Sequence, residues 1–240
     1  IPYVATFASF LALLCCEQIR MDVAYCEQPV RLIGHHTGIA LGFYGTSHHA
    51  TEDIAIMRSI AGLAVVSPAD GPQFAAALRA TVRHPGPIYF RIARGHDPVV
   101  YDGDVSFTLG KAVVHGIGSD ITIIATGMAV HGAKAAVQSL NRKGHSAGLI
   151  DMHTIKPLDH DAVLAAARRS RIILTVEEHN ILGGLGGAVA EVLAENSGGA
   201  RLVRHGIKDE YSLIAPPSHL YQHYKLDGPG IESVALTALG

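Results

Sequence analysis

Short apolar runs alternate with helix-period segments along almost the whole chain, and this alternation restricts the folds open to it. The runs carry consecutive Val, Ile and Leu, as in ITIIA (Ile121–Ala125) and IILTV (residues 172–176). A strand that is apolar on both faces is buried on both faces, as parallel strands between layers of helices are. Strand, helix and strand in succession give a parallel sheet with crossover helices. In the first series we read strands at Tyr3–Phe7, 30–34, 64–67 and 88–92, and helices over 10–24, 52–59 and 71–83. Residues 37–51 form a Gly- and His-rich loop. The stretch GHDPVVYDGDVS (residues 95–106) is polar, holds Pro98 and Gly103, and reads as a linker. A second series follows, with strands at Ile121–Ala125, Ala147–Asp151 and 172–176 and a helix after each. The expected fold class is α/β, built from two consecutive α/β domains, 1–100 and 105–240. No repeat of fixed period is visible.

Composition narrows the function classes. Of 240 residues, 48% are apolar and 17% charged, which suffices for a buried core and argues against disorder. A net charge of -2 leaves no basic footprint, so nucleic acid is not an expected partner. No apolar run approaches the ~20 residues of a membrane span, so no membrane partner is expected and the chain reads as soluble. Abundant Gly (26), few aromatics (6%) and no Trp fit an α/β chain better than a sandwich or jelly roll. The three cysteines, Cys15, Cys16 and Cys26, are odd in number and two are adjacent. That pattern speaks against a disulfide framework and for a reducing cytoplasm. The chain opens Ile1-Pro2-Tyr3 without Met or a signal peptide, and reads as cut from something longer.

The densest polar cluster is His35-His36 with His48-His49. Such histidines could ligate a metal, bind phosphate or exchange protons near neutral pH, or belong to an ordinary solvated loop. The spacing matches no established ligand pattern, and carboxylate co-ligands are not evidently placed. Phe7 and Phe10 flank the first strand–helix junction and could stack on a planar ring; on pattern alone, core packing is the better reading. Arg91 and Arg94 end a strand in FRIARG, where open α/β sheets bind ligands and where the guanidinium fork suits phosphate or carboxylate. For Arg91 a surface salt bridge is the plainer expectation. GGLGG (residues 183–187) is not a dinucleotide fingerprint, because Val189 stands where the third Gly belongs and the strand at 172–176 ends too early. It reads as a tightly packed helix entry. Asp102-Gly103-Asp104 is too generic for a metal site.

Residues 3–70 resemble the pyrimidine-binding domain of the transketolase family. YVATFASFL and EQIR resemble the strand–helix unit whose aromatics stack on the aminopyrimidine of thiamine diphosphate, and HHTGIALGFYGTSHHATEDIAIMR resembles the family's His- and Gly-bearing loop. VVSPAD and GPIYFRIARG continue the match. SDITIIATGMAVHGAKAAV, GLIDMHTIKPLD and VEEHNILGGLGG resemble the family's C-terminal domain. The resemblance covers essentially the whole chain, and the size suits the C-terminal subunit of a split, two-chain transketolase. It implies that Phe10, with Phe7 beside it, binds the cofactor. It gives His36 a contact with donor or acceptor, His48 proton transfers near the reacting hydroxyls, and Arg94 the substrate phosphate. The departures are Leu13 in place of a third aromatic, Ser47 in place of a Thr, and Tyr44 in place of an Asp that reads a substrate hydroxyl. A phenol is bulkier and uncharged, which implies an altered acceptor or stereochemical preference. The family's essential Glu belongs about two dozen residues before Phe7, and we expect the stretch that carries it to precede Ile1.

The activity implied is transfer of a two-carbon ketol unit between sugars or sugar phosphates. Mg²⁺ or Ca²⁺ and the diphosphate are expected on a separate N-terminal subunit, since the family's GDG motif is not found here, and the implied assembly is an α2β2 heterotetramer. The alternatives are a β subunit of a 2-oxo-acid dehydrogenase, a fragment of a 1-deoxyxylulose-phosphate synthase, a non-catalytic transketolase-like partner, and a His-metal hydrolase.

Overall fold

The computed structural model describes every residue except His96, Asp97, Asp104, Ser197 and Gly198. Parts of the expected linker, and Asp104 of the Asp102-Gly103-Asp104 run, lie outside the described residues. The first series comprises β1 (Tyr3–Phe7), α1 (Ala8–Leu13), α2 (Cys16–Gln18), β2 (Arg31–His35), α3 (Asp53–Ser59), β3 (Ala64–Val66), α4 (Gly71–Ala80) and β4 (Ile88–Arg91). Strands β1, β2, β4 and β3 lie side by side and parallel, as the continuous apolar runs predict. Asp70 starts α4 by accepting the Gln73 N–H at 2.8 Å, with Pro72 in the first turn, both favourable entry devices.

One helix over 10–24 is not what forms. The segment breaks into α1, α2 and a π-helical stretch, Ile19–Tyr25. Its buried residues, Ile19 and Ala24, are five apart, a spacing that suits the wider π turn better than the α turn.

The second series contains β5 (Val113–Gly116), β6 (Ile121–Ala125), α5 (Ala129–Arg142), β7 (Ala147–Asp151), β8 (Thr154–Lys156), α6 (His160–Arg169), β9 (Ile172–Asn180), α7 (Leu185–Glu195), β10 (Arg201–Ile207), α8 (Pro217–His223) and α9 (Gly228–Leu239). Its sheet runs β10-β9-β6-β7-β5. Two strands depart from the all-parallel expectation. β5 pairs antiparallel with β7, and β8 crosses to the first sheet to pair antiparallel with β3. Both are short and sit at sheet edges, where hydrophobic patterning carries little signal. The strand read at 172–176 extends to Asn180, and the glycine-dense turn after it leads into α7, as expected of a tight helix entry.

One apolar core joins the two series. Leu11, Ile54, Met57 and Val65 from the first pack with Ile124, Ile150, Met152 and Val189 from the second. No helix among the described residues is long and apolar enough to cross a membrane.

Candidate active site

The site lies at the carboxyl ends of β1 and β2, which run in register so that Phe7 stands beside His35. Paired residues of parallel strands share a face, and the two rings meet edge-to-face at 4.9 Å. Helix α1 begins directly after Phe7, which places Phe10 one turn on, with its ring 5.3 Å from that of Phe7. The loop then returns over both: His48 lies 5.4 Å from Phe7 and 5.2 Å from Phe10. Tyr44 packs edge-on to His48 at 4.9 Å. Phe7, Phe10, His36 and His48 are each half-buried, and Tyr44 is exposed. The rings thus form a cup with accessible faces, not a sealed core. Leu13 is 56% exposed, so it contributes no wall of the kind an aromatic would give.

The loop is anchored at its base. Gly38 and Ala50 exchange backbone hydrogen bonds at 3.1 and 2.9 Å. The Ile39 N–H donates to Glu178 Oε1 at 2.8 Å, and the Tyr221 hydroxyl donates to the same oxygen at 2.8 Å. Gly38 has φ +56°, and a Cβ there would lie 2.2 Å from the Glu178 carboxyl carbon, so both backbone and space require glycine. His48 is fixed by its carbonyl, which accepts from Ser9 Oγ at 3.3 Å, and by its Nδ1, which meets Ser47 Oγ at 2.9 Å.

Three of the four histidines gather around Phe7, whose ring lies 4.9 Å from His35, 5.0 Å from His36 and 5.4 Å from His48, and His49 does not join them. His49 is buried and pairs through Nδ1 with Ser212 Oγ, and burial holds its pKa below the usual value. Its neighbour His48 faces the cup. His35 and His36 meet Nδ1 to Nδ1 at 2.7 Å, and burial lowers the pKa of His35 as well. Among the described residues no group of three or more His, Cys, Asp or Glu is gathered as a metal site would require.

Arg91 is a correction. It makes a buried ion pair, not a surface one: Nε donates to Asp53 Oδ2 at 2.9 Å, with side chains 2% and 0% exposed. Tyr89 Oη donates to the same carboxylate at 2.8 Å, and Arg91 Nη2 reaches the carbonyls of Glu178 (2.9 Å) and Ala50 (3.2 Å). This network clamps the C-terminal foot of the loop to β4 and β9. Nothing in the sequence pairs Asp53 with Arg91, which are 38 residues apart. Arg94 behaves differently. It is exposed, one residue beyond the Ala93 carbonyl that accepts the His36 N–H at 3.3 Å, and so stands at the same sheet edge as the cup.

Two α/β units carry an aromatic–imidazole cup at the carboxyl edge of the first sheet, the place where open α/β sheets bind their ligands. The transketolase pyrimidine binding domain model matches residues 1–98, and the transketolase C-terminal domain model matches residues 110–231. The chain belongs to the transketolase family. It is 40% identical over 221 residues to an apulose-4-phosphate transketolase subunit of Phocaeicola vulgatus, covering 92% of this chain and 70% of that protein. It is 35% identical over 235 residues to the 6-deoxy-6-sulfo-D-fructose transketolase subunit SqwH of a Clostridium species, covering 98% of this chain and 73% of that one. A solved structure described as a split gene transketolase, inactive beta4 tetramer, superposes with a TM-score of 0.91 at 34% identity, covering all of this chain and 76% of that chain.

Proposed function

We propose that this chain is the C-terminal subunit of a two-chain, thiamine-diphosphate-dependent transketolase that moves a two-carbon ketol unit between sugars bearing an anionic group. The observation that carries the proposal is the cup itself. Phe7 and Phe10, 5.3 Å apart and half-buried, leave ring surface open at the place where a flat heterocycle would stack, with His48 within 5.4 Å of both. These residues fit the aminopyrimidine. When bound, thiamine diphosphate supplies the electron sink for breaking a bond next to a carbonyl.

The chain's own residues then have distinct tasks. Phe7 and Phe10 hold the ring. Ser47 engages Nδ1 of His48, so proton exchange with a sugar hydroxyl falls to Nε2. His36 contacts donor or acceptor from the strand side. Tyr44 offers a neutral phenol where the family has a carboxylate, and so reads a substrate hydroxyl as donor or acceptor without repelling a nearby anion. Arg94, exposed at the rim, receives the phosphate, because its fork donates two parallel bonds to such groups. The names of the two relatives, one a phosphate and one a sulfo-sugar enzyme, support an anionic tail.

Catalysis needs an N-terminal partner carrying the diphosphate and its Mg²⁺ or Ca²⁺, in an α2β2 assembly in the cytoplasm. The relatives named as subunits, and the tetramer of β chains described as inactive, support this division of labour. The test is reconstitution. This chain, the partner subunit, thiamine diphosphate and Mg²⁺ are mixed and assayed for ketol transfer over phosphorylated, sulfonated and free sugars. Turnover is expected only in the complete mixture, and turnover by this chain alone would overturn the two-subunit reading.

A further inference from the structure

His35 and His36 adopt an arrangement that regular strand geometry does not allow. Successive side chains of a strand point to opposite faces. Here the two imidazoles face each other, with ring centroids 4.7 Å apart and Nδ1 to Nδ1 at 2.7 Å. The backbone of His36 brings this about: its φ is +57°, in the left-handed region. A non-glycine residue is held there only against steric strain, and such strain collects at functional sites. Phe7 buttresses both rings, with centroids 4.9 and 5.0 Å away, while the His36 N–H donates to the Ala93 carbonyl.

Two ring nitrogens at hydrogen-bond distance need one proton between them. If His35 donates, His36 carries its own proton on Nε2. If His35 accepts, His36 Nε2 keeps a lone pair. Burial lowers the pKa of His35, which keeps it neutral near pH 7, with one donor and one acceptor to offer.

We propose that His35 is a positioning residue: its Nδ1 selects a single tautomer of His36 and so decides whether His36 Nε2 gives or takes a proton. This rests on reading the cup as a ketol-transfer site. Where His35 accepts, the His36 Nε2 lone pair takes a proton from a sugar hydroxyl, and the resulting imidazolium donates its Nδ1–H to the His35 Nδ1 lone pair, a charge-assisted bond. Return of that proton from Nε2 to the sugar restores the neutral bond. Where His35 donates, the His36 Nε2–H can only give a proton or a hydrogen bond to the sugar.

The test is nuclear magnetic resonance of the ¹⁵N-histidine-labelled chain, with His36 assigned through His36→Gln. In the wild type, His36 is expected in one neutral tautomer, with a coupling between the two Nδ1 nuclei across the hydrogen bond. His35→Phe keeps the ring that packs on Phe7 but lacks Nδ1, and is expected to release His36 into both tautomers. His35→Asn, whose amide overlays Nδ1, is expected to restore one. An unchanged single tautomer in His35→Phe, or both tautomers in the wild type, overturns the proposal. If His35→Phe does not fold, the wild-type coupling decides: its presence supports the pairing and its absence overturns it. In the reconstituted complex, His35→Phe is expected to lower kcat about tenfold with little change in KM, as loss of a supporting hydrogen bond does. Intact coupling without ketol transfer by the wild-type complex would overturn the activity reading and leave the pairing standing.

Discussion

His48 is held at two points, its carbonyl by Ser9 and its Nδ1 by Ser47, while its ring packs between Phe10 and Tyr44. A side chain fixed in this way offers one nitrogen for proton exchange in one direction. Loss of a positioned acid–base group costs about 10²-fold or more. His48→Ala in the reconstituted complex is therefore expected to lower kcat by that order, with assembly unchanged by gel filtration. In the proposed reading, the exposed Arg94 binds the substrate phosphate through its charge. A hydrogen bond to a charged group is worth about 1.5–3 kcal/mol, so Arg94→Ala is expected to raise KM for phosphorylated sugars about tenfold or more. Free sugars should be little affected, and equal behaviour of both substrate classes would reject the assignment.

The loop at residues 37–51 is an element in its own right, although most of it has no regular structure. Its feet meet at Gly38 and Ala50, and Glu178 and Arg91 pin them from neighbouring strands. Gly38→Ala would put a methyl group against the Glu178 carboxyl in a backbone conformation that L side chains resist. We expect a loss of about 1–3 kcal/mol in urea unfolding, together with lower turnover as the loop shifts. The Arg91–Asp53 pair is a stronger dependence, because removing one partner leaves a charge stranded in a dry interior. Arg91→Met is expected to destabilise by about 3–5 kcal/mol, and Asp53→Asn less, since the amide keeps a partner for Tyr89. Unfolding midpoints of the two variants give the comparison directly.

The whole molecule is fastened across its two units, and one of the fastenings titrates. Asp151 at the end of β7 accepts from Gln73 Nε2 of α4 and from Tyr101 Oη, each at 2.6 Å. Burial raises its pKa to about 7, against the lowering effect of those two bonds. The folded chain therefore keeps a proton on Asp151 in a range where the unfolded chain has lost it. This contribution to stability is complete below the unfolded value of 3.8 and is lost as pH rises through about 7. His153 and His179 act in the opposite sense. Burial lowers both to about 4, so their contribution is present above 6.5 and lost as pH falls towards 4. Asp151→Asn removes only the first effect. The variant should gain in melting temperature relative to the wild type as pH rises from ~4 to ~7, and a constant difference across that range would refute the assignment.

Much of this architecture was legible in the residues. Continuous apolar runs marked the inner strands because a strand buried on both faces has to be apolar throughout, and β4, β6 and β7 fall where the runs stand, whereas β1 is a partly exposed edge strand. The order of motifs pointed to the family, since a binding loop constrains its residue types locally. Other features depended on contacts between distant segments. The crossing of β8 to the first sheet and the burial of Arg91 each have causes far away in the chain. So does the parting of the histidines. Sequence offered two adjacent pairs, and the backbone turned His49 inward to Ser212, left His48 at the cup and folded His36 back onto His35. Residue types and periodicity, which are local quantities, determined the class of fold. The direction each side chain faces was decided only when the loop closed over the sheet, because that choice depends on backbone angles and partners no local pattern encodes.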